Sequence, residues 1–291
     1  MKREDRIKGA LYGIAVGDAM GVTTEFMKPE DIIDKYGKVT EITGGGLYNT
    51  WRKGEWSDDT EMTLLVLQGL LDNTEDPIPH IGQHFAEWLA TKPKDVGNTI
   101  RYAYTIYNMY NDWFEATKVA HEMLMGETAG NGSLMRTLPI ALIYKELPKI
   151  VKLSEKQSKM THFSDEAAEA CVIYNKIAFR LINGGDLKES ILSTIKGTKY
   201  SGVISSQARF NPDGYVVNTL SWALILLLNT NSFEEAIIQA VNMGYDSDTL
   251  ASVTGGLAGI YYGFDAIPIR WTEDLLKGDT LEEYLEKIKL F

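Results

Sequence analysis

The chain has 291 residues, with 40 acidic and 29 basic side chains and a formal net charge of -11. That field disfavours a general nucleic-acid binder, and 44% hydrophobic content with 24% charge excludes a disordered chain. The single Cys171 excludes a disulfide framework or a thiolate zinc cluster and fits a reducing, cytoplasmic location.

Apolar periodicity predicts helices over 4–20, 58–73, 80–91, 97–110, 113–124 and 133–145. Further helices are expected over 165–183, 187–195, 215–229, 233–242, 247–262 and 280–289. Ser57 precedes an acidic first turn, Thr280–Glu283 reads as a capping box, and Asn183-Gly184-Gly185 reads as a helix stop. Alternation is nearly absent, with Val39–Ile42 the one short strand candidate. The most apolar run, Trp222–Leu228, is far below the roughly 20 residues that span a bilayer, so no membrane role is expected. No apolar segment follows the charged first residues, so no secretion signal is expected either. No linker or internal repeat divides the chain. The expectation is an all-α, single compact multi-helix domain over residues 1–291.

Two of these helices carry small-residue stripes. Gly9, Gly13, Gly17 and Gly21 recur every four residues, as do Ala251, Gly255, Gly259 and Gly263. Each helical glycine costs about 1 kcal/mol relative to alanine, so four in register call for compensation. Close approach of another backbone would supply it and would place both helices centrally; the alternative is a helix broken into short pieces.

The chemistry-bearing residues fall into a few blocks. Ser57-Asp58-Asp59-Thr60 enters the 58–73 helix, and Asp246-Ser247-Asp248-Thr249 enters the 247–262 helix. Asp and Ser are good helix caps, and first-turn acids complement the dipole by about 0.3–1 kcal/mol. Two such blocks nevertheless hold more carboxylate than capping uses. If they converge, pairs near 4 Å repel by about 4 kcal/mol at an effective dielectric of 20, and protons or cations must relieve that. Oxygen-only ligands suit Mg²⁺ or Mn²⁺, and without Cys or His the blocks disfavour zinc. From spacing alone, a metal site and double capping stand as alternatives.

Asp18 and Glu25 form a third block; an acid at 18 among Ala, Gly and Val has no evident water-facing role. In Gly126–Arg136, Gly130 and Gly132 free the backbone, Ser133 would cap the next helix, and Arg136 could add charge to an anion site. The Gly-Lys-Ser/Thr ending of a phosphate-binding P-loop is missing. His162 precedes the 165–183 helix, where a hydrogen-bonded loop residue is the simpler reading. His80 and His84 have helical spacing without a zincin glutamate and read as surface. Tyr215 opens an apolar helix, as a stacking face for a ring or as core.

In this order, the blocks Gly13–Glu25, Gly54–Thr60, Gly130–Arg136, Thr161-His162, Gly214–Leu220 and Gly244–Gly263 resemble the ADP-ribosylglycohydrolase family, of the dinitrogenase-reductase-activating glycohydrolase type. The resemblance spans nearly the whole chain. It implies one all-α domain with a central binuclear centre of two Mg²⁺ or Mn²⁺ ions. Ser57, Asp58, Asp59, Asp246, Asp248 and Thr249 would be its ligands, with Asp58, Asp59 and Asp248 also serving catalysis. Glu25 would sit on a mobile loop and help activate water or the glycosidic bond. Asn131, Gly132, Ser133 and Met135 would hold the diphosphate and adjoining ribose, with His162 and Tyr215 lining the ADP-ribose cleft. Ser57 stands where the family more often has Thr, and Asn218 where many members carry a charged residue or His.

The implied activity is metal-dependent hydrolysis of the bond between ADP-ribose and a protein side chain, arginine first, by a monomer. Alternatives are hydrolysis of a free ADP-ribosyl or nucleoside conjugate, and a non-catalytic ADP-ribose-binding role. Retention of the mutually repelling aspartates and Glu25 argues against the last. Tyr48, Trp51 and Trp56 offer an aromatic rim for a protein target, or core packing.

Overall fold

Residue 3 begins the first helix, and Glu4 and Asp5 in its opening turn complement the helix dipole. A computed structural model describes residues 1–205 and 210–290. In chain order it has α1 (Arg3–Gly21), α2 (Pro29–Tyr36), α3 (Asp58–Asp72), α4 (Ile78–Ala90), α5 (Asn98–Tyr110) and α6 (Trp113–Met123). A 3-10 turn at Asn131–Ser133 precedes α7 (Pro139–Ile143), α8 (Leu147–Lys159), α9 (Asp165–Ile182), α10 (Leu187–Ile195) and α11 (Lys199–Ser205). The chain continues through α12 (Val216–Asn229), α13 (Phe233–Val241), α14 (Ser247–Tyr262), α15 (Ile269–Asp274) and α16 (Gly278–Ile288). Among the described residues there is no strand, only the isolated bridges Gly45–Trp51 and Gly130–Tyr215. The all-α expectation holds, and no described helix is long and apolar enough to cross a membrane.

Contacts group the chain into two units. The first comprises residues 1–60, 180–214 and 218–291; the second comprises 61–179 and 215–217. The first unit is organised on α1 and α14. A Cβ on Gly9, Gly13 or Gly17 would overlap the carbonyl of Gly259, Gly255 or Ala251 respectively, and one on Gly21 would overlap the backbone of Asp248. The two stripes therefore face each other with backbones in contact. Residues 9–21 of α1 and 247–260 of α14 are all buried, as the stripes predicted. The close approach offsets the helical cost of the glycines. It also brings the C-terminal end of α1, with Asp18, to the N-terminal end of α14, with Asp248.

In the second unit, the Trp113 ring stacks on Tyr107 at 4.3 Å and meets Phe85 edge-on at 6.2 Å. Its indole N–H donates to the Gly82 carbonyl at 3.1 Å, and a Cβ at Gly82 would press on the ring.

Several local expectations fail for identifiable reasons. The 133–145 helix is a 3-10 turn and a short α7 starting at Pro139, whose ring leaves no N–H to continue the helical ladder from the turn before it. Ser133 lies inside that turn and does not cap α7. Val39 lies in no strand; the Asn242 side chain accepts from its N–H at 2.9 Å and donates to its carbonyl at 2.7 Å. The last helix starts two residues early at Gly278, so Thr280 is inside it rather than capping it. The 13-residue α8 and the short helices α2, α11 and α15 are absent from the sequence reading; α2, α8 and α15 each begin at or beside a proline. The helix stop at Asn183–Gly185 is real: Gly184 has φ 86° and the Gly185 N–H donates to the Arg180 carbonyl.

Candidate metal and substrate-binding residues

Both acidic blocks lie in the first unit, and they meet. Asp18, fully buried on α1, accepts from the Ser57 N–H at 2.9 Å, the Thr60 N–H at 2.9 Å and the Thr60 hydroxyl at 2.6 Å. It fixes the turn that launches α3. Ser57 caps that helix by accepting the Asp59 N–H at 3.2 Å. Thr249, in the first turn of α14, donates to Asp59 Oδ2 at 3.1 Å, and the Ser57 hydroxyl donates to the same oxygen at 3.4 Å. One carboxylate oxygen thus joins hydroxyls from blocks 190 residues apart.

Capping does not account for this concentration of acid. Asp246 occupies the cap position of α14, yet its side chain makes no cap hydrogen bond. Asp58, Asp59 and Asp248 are buried, and Asp246 is half-buried. Burial first, then Asp18, Asp58 and Asp246, hold the Asp59 carboxyl well above the usual carboxylate range. Burial, then Glu25, Asp246, Asp59 and Asp18, do the same to Asp248. Asp18 is pushed up to about 6 by burial, against its hydrogen bonds from Thr60 and Ser57.

Glu25 is buried too, and one of its carboxylate oxygens lies within 4.8 Å of one from Asp248. The chain after it is pinned to the second block: the Phe26 N–H donates to the Tyr245 carbonyl at 2.6 Å and the Tyr245 N–H to Met27 at 2.8 Å. Phe26 and Tyr245 adopt φ of 60° and 57°, the left-handed region, where this paired turn needs them. Oδ1 of Asp248 is buried and accepts no hydrogen bond. An orphaned buried oxygen among acids, with hydroxyls as the other donors, fits a hard divalent cation.

The second unit holds the other predicted residues. Asn131, Gly132, Ser133 and Met135 are all buried on or beside the 3-10 turn. Ser133 pairs with the Ser158 hydroxyl at 2.9 Å, and its carbonyl accepts from Gln157 at 3.1 Å. The Met135 carbonyl accepts from the Thr63 hydroxyl at 3.3 Å. His162 is buried beside the turn; a Cβ on Gly130 would sit 3.3 Å from its Nε2, and one on Gly132 3.2 Å from its Cε1. These glycines make room for the ring. Tyr215 is 38% exposed, held by its bridge to Gly130 and by donating to Glu166 Oε2 at 2.7 Å. It precedes α12 and is not core.

Some expectations need correction. Arg136 does not face an open anion site: it is fully buried, donating to Gln157 Oε1 and Thr161 Oγ1, both at 2.6 Å, with its guanidinium 4.4 Å over the Phe85 ring. Of the aromatic cluster, Trp56 is buried while Tyr48 is 77% exposed. Asn218 donates to Asp213 at 2.8 Å. The anchoring role of Asp18 and the Glu166 contact to Tyr215 had no spacing signal, although an acid on a glycine-striped helix was a clue.

Residues 1–291 match the family model described as ADP-ribosylglycohydrolase. The chain is 34% identical to the ADP-ribosyl-[dinitrogen reductase] glycohydrolase of Rhodospirillum rubrum, across 93% of this chain and 90% of that one. It is 30% identical to the ADP-ribosylarginine hydrolase Tri1 of Serratia proteamaculans, across 98% of this chain and 79% of that one. A solved structure described as an ADP-ribosylglycohydrolase-related protein complex matches with a TM-score of 0.85 at 31% identity, covering 99% of this chain and 98% of that one. With a family match over its full length and relatives of this similarity, the chain belongs to the ADP-ribosylglycohydrolase family.

Proposed function

We propose that this hydrolase removes ADP-ribose from a modified protein side chain, arginine foremost, with two Mg²⁺ or Mn²⁺ ions as cofactors. The observation that carries the reading is the meeting of the two acidic blocks on Asp59, inside a surrounding of like charge that capping does not explain. The names of the Rhodospirillum and Serratia relatives support the ADP-ribosyl substrate and the arginine linkage.

Ser57, Asp58, Asp59, Asp246, Asp248 and Thr249 would hold the ions. Bound there, the ions would lower the pKa of water and orient ribose hydroxyls. Asp18 keeps the first three ligands in register through the Ser57 and Thr60 amides. Glu25, buried beside Asp248, exchanges the proton as the water oxygen bonds to the anomeric carbon and the bond to the side chain breaks. Water and the ADP-ribosylated side chain give free ADP-ribose and the unmodified side chain. Asn131, Gly132, Ser133 and Met135 would bind the diphosphate and adjoining ribose, and His162 and Tyr215 would contact the same ligand. A chain of net charge -11 would then hold an anion by amides and neutral donors rather than by a lysine cluster. The same reading has the chain working as a monomer in a reducing cytoplasm.

Matched arginine- and serine-linked ADP-ribosyl peptides test the proposal. Release from the arginine peptide alone is expected. Release from the serine peptide alone would move the acceptor, and release from neither, with ADP-ribose still bound in calorimetry, would replace the protein substrate with a small conjugate or a binding role.

A further inference from the structure

Arg136 was expected to lend its charge directly to an anion; the structure puts it one step behind. Its Nη2 donates to Thr161 Oγ1 at 2.6 Å, and that oxygen lies 2.8 Å from His162 Nδ1. A guanidinium can only donate, so one lone pair of the threonine oxygen is taken. Thr161 is fully buried, and among the described residues the sole acceptor for its proton is His162 Nδ1. Were Nδ1 protonated, the hydroxyl would accept twice and its own proton would be stranded in the interior, at the cost of a buried unmade hydrogen bond. The hydroxyl therefore donates to Nδ1, and the ring proton sits on Nε2.

Nε2 makes no hydrogen bond among the described residues, and it faces the turn where Gly130 and Gly132 leave space for it. From this chain of contacts the structure assigns Arg136 and Thr161 as positioning residues that hold His162 as the neutral Nε2–H tautomer, presenting a fixed N–H donor to ADP-ribose. The assignment rests on reading His162 as a contact of that ligand. Burial, and then the Arg136 charge, push the His162 pKa down to about 3, which agrees with a neutral ring. Arg136 is held in turn by Gln157, which grips the Ser133 carbonyl, so the donor and the turn it faces share one support.

The test uses the full chain labelled with ¹⁵N-histidine, with nitrogen–proton correlation spectra at neutral pH and His162 assigned by its loss in His162→Asn. The wild-type ring should show the Nε2–H pattern without any substitution, and its Nε2 signal should move on adding ADP-ribose. Thr161→Val, which removes the hydroxyl at similar shape, should lose the single tautomer and weaken ADP-ribose binding about fivefold to tenfold in calorimetry. Thr161→Ser should keep the tautomer and bind within about twofold of wild type. An Nδ1–H ring in the wild type would overturn the relay even where ADP-ribose binds well. An Nε2–H ring that ADP-ribose leaves unmoved, with Thr161→Val binding unchanged, would overturn the donor role. Failure of the wild type to bind ADP-ribose at all would sink the proposed substrate instead, and would be read separately from the tautomer.

Discussion

Replacing Asp248 by Asn separates the two physical readings of the acidic blocks by sign. Asp248 lies in the first turn of α14, where a charge serving only the helix dipole contributes about 0.3–1 kcal/mol. On that account Asn lowers stability by the same amount. The structure surrounds Asp248 with Glu25, Asp246, Asp59 and Asp18, and the Glu25 pair alone, within 4.8 Å, repels by about 3 kcal/mol at an effective dielectric of 20. Partial protonation relieves some of this, so Asp248→Asn should stabilise the chelator-treated protein at neutral pH by about 1–3 kcal/mol, a rise of about 2–6 °C in melting temperature. Added Mn²⁺ should narrow or reverse the difference. At a hundred times its Kd an ion stabilises the wild type by about 2.7 kcal/mol, and the variant should forfeit most of that gain. Differential scanning fluorimetry with chelator and with Mn²⁺ reads both arms. A chelated Asp248→Asn protein that melts lower than wild type, with an undiminished Mn²⁺ shift, would refute the repulsion argument.

Glu25→Gln should keep ADP-ribose affinity within a few-fold in calorimetry while kcat falls by about 10²–10⁴, and an unchanged kcat would make Glu25 a bystander. Gly13→Ala should destabilise by about 1–3 kcal/mol in denaturant titration despite its better helix propensity, because its Cβ would overlap the Gly255 carbonyl. The depressed His162 contributes stability that is present above its unfolded pKa near 6.5 and lost as pH falls toward its folded value of about 3. His162→Gln should therefore flatten the loss of stability between pH 6.5 and 4 by up to about 3 kcal/mol, measured by melting at each pH.

Helix class was legible because periodic apolar segments dominate the chain, and the glycine stripes signalled close backbone approach and a central place for α1 and α14, though not that each is the other's partner. The two acidic blocks were legible as a pair because each spends more acid than a cap, and they do converge on Asp59. What could not be read depends on long-range partners. Nothing near Val39 says that an asparagine side chain 203 residues away will take its backbone bonds in place of a strand. Arg136 looks like a ligand-facing cation from its glycine-rich neighbourhood, and only the fold shows Gln157, Thr161 and Phe85 enclosing it. Short helices such as α2 and α15, six to eight residues long, offer too few turns for periodicity to register.

The most direct test of the central claim, that the joined acidic blocks form a metal-dependent hydrolytic centre, is turnover of an arginine-linked ADP-ribosyl peptide during Mn²⁺ or Mg²⁺ add-back to chelator-stripped protein. The account predicts silence in chelator, recovery that saturates with added ion, and no recovery for Asp59→Asn at native helix content. Full turnover in excess chelator, or full activity in the Asp59→Asn protein, would contradict it.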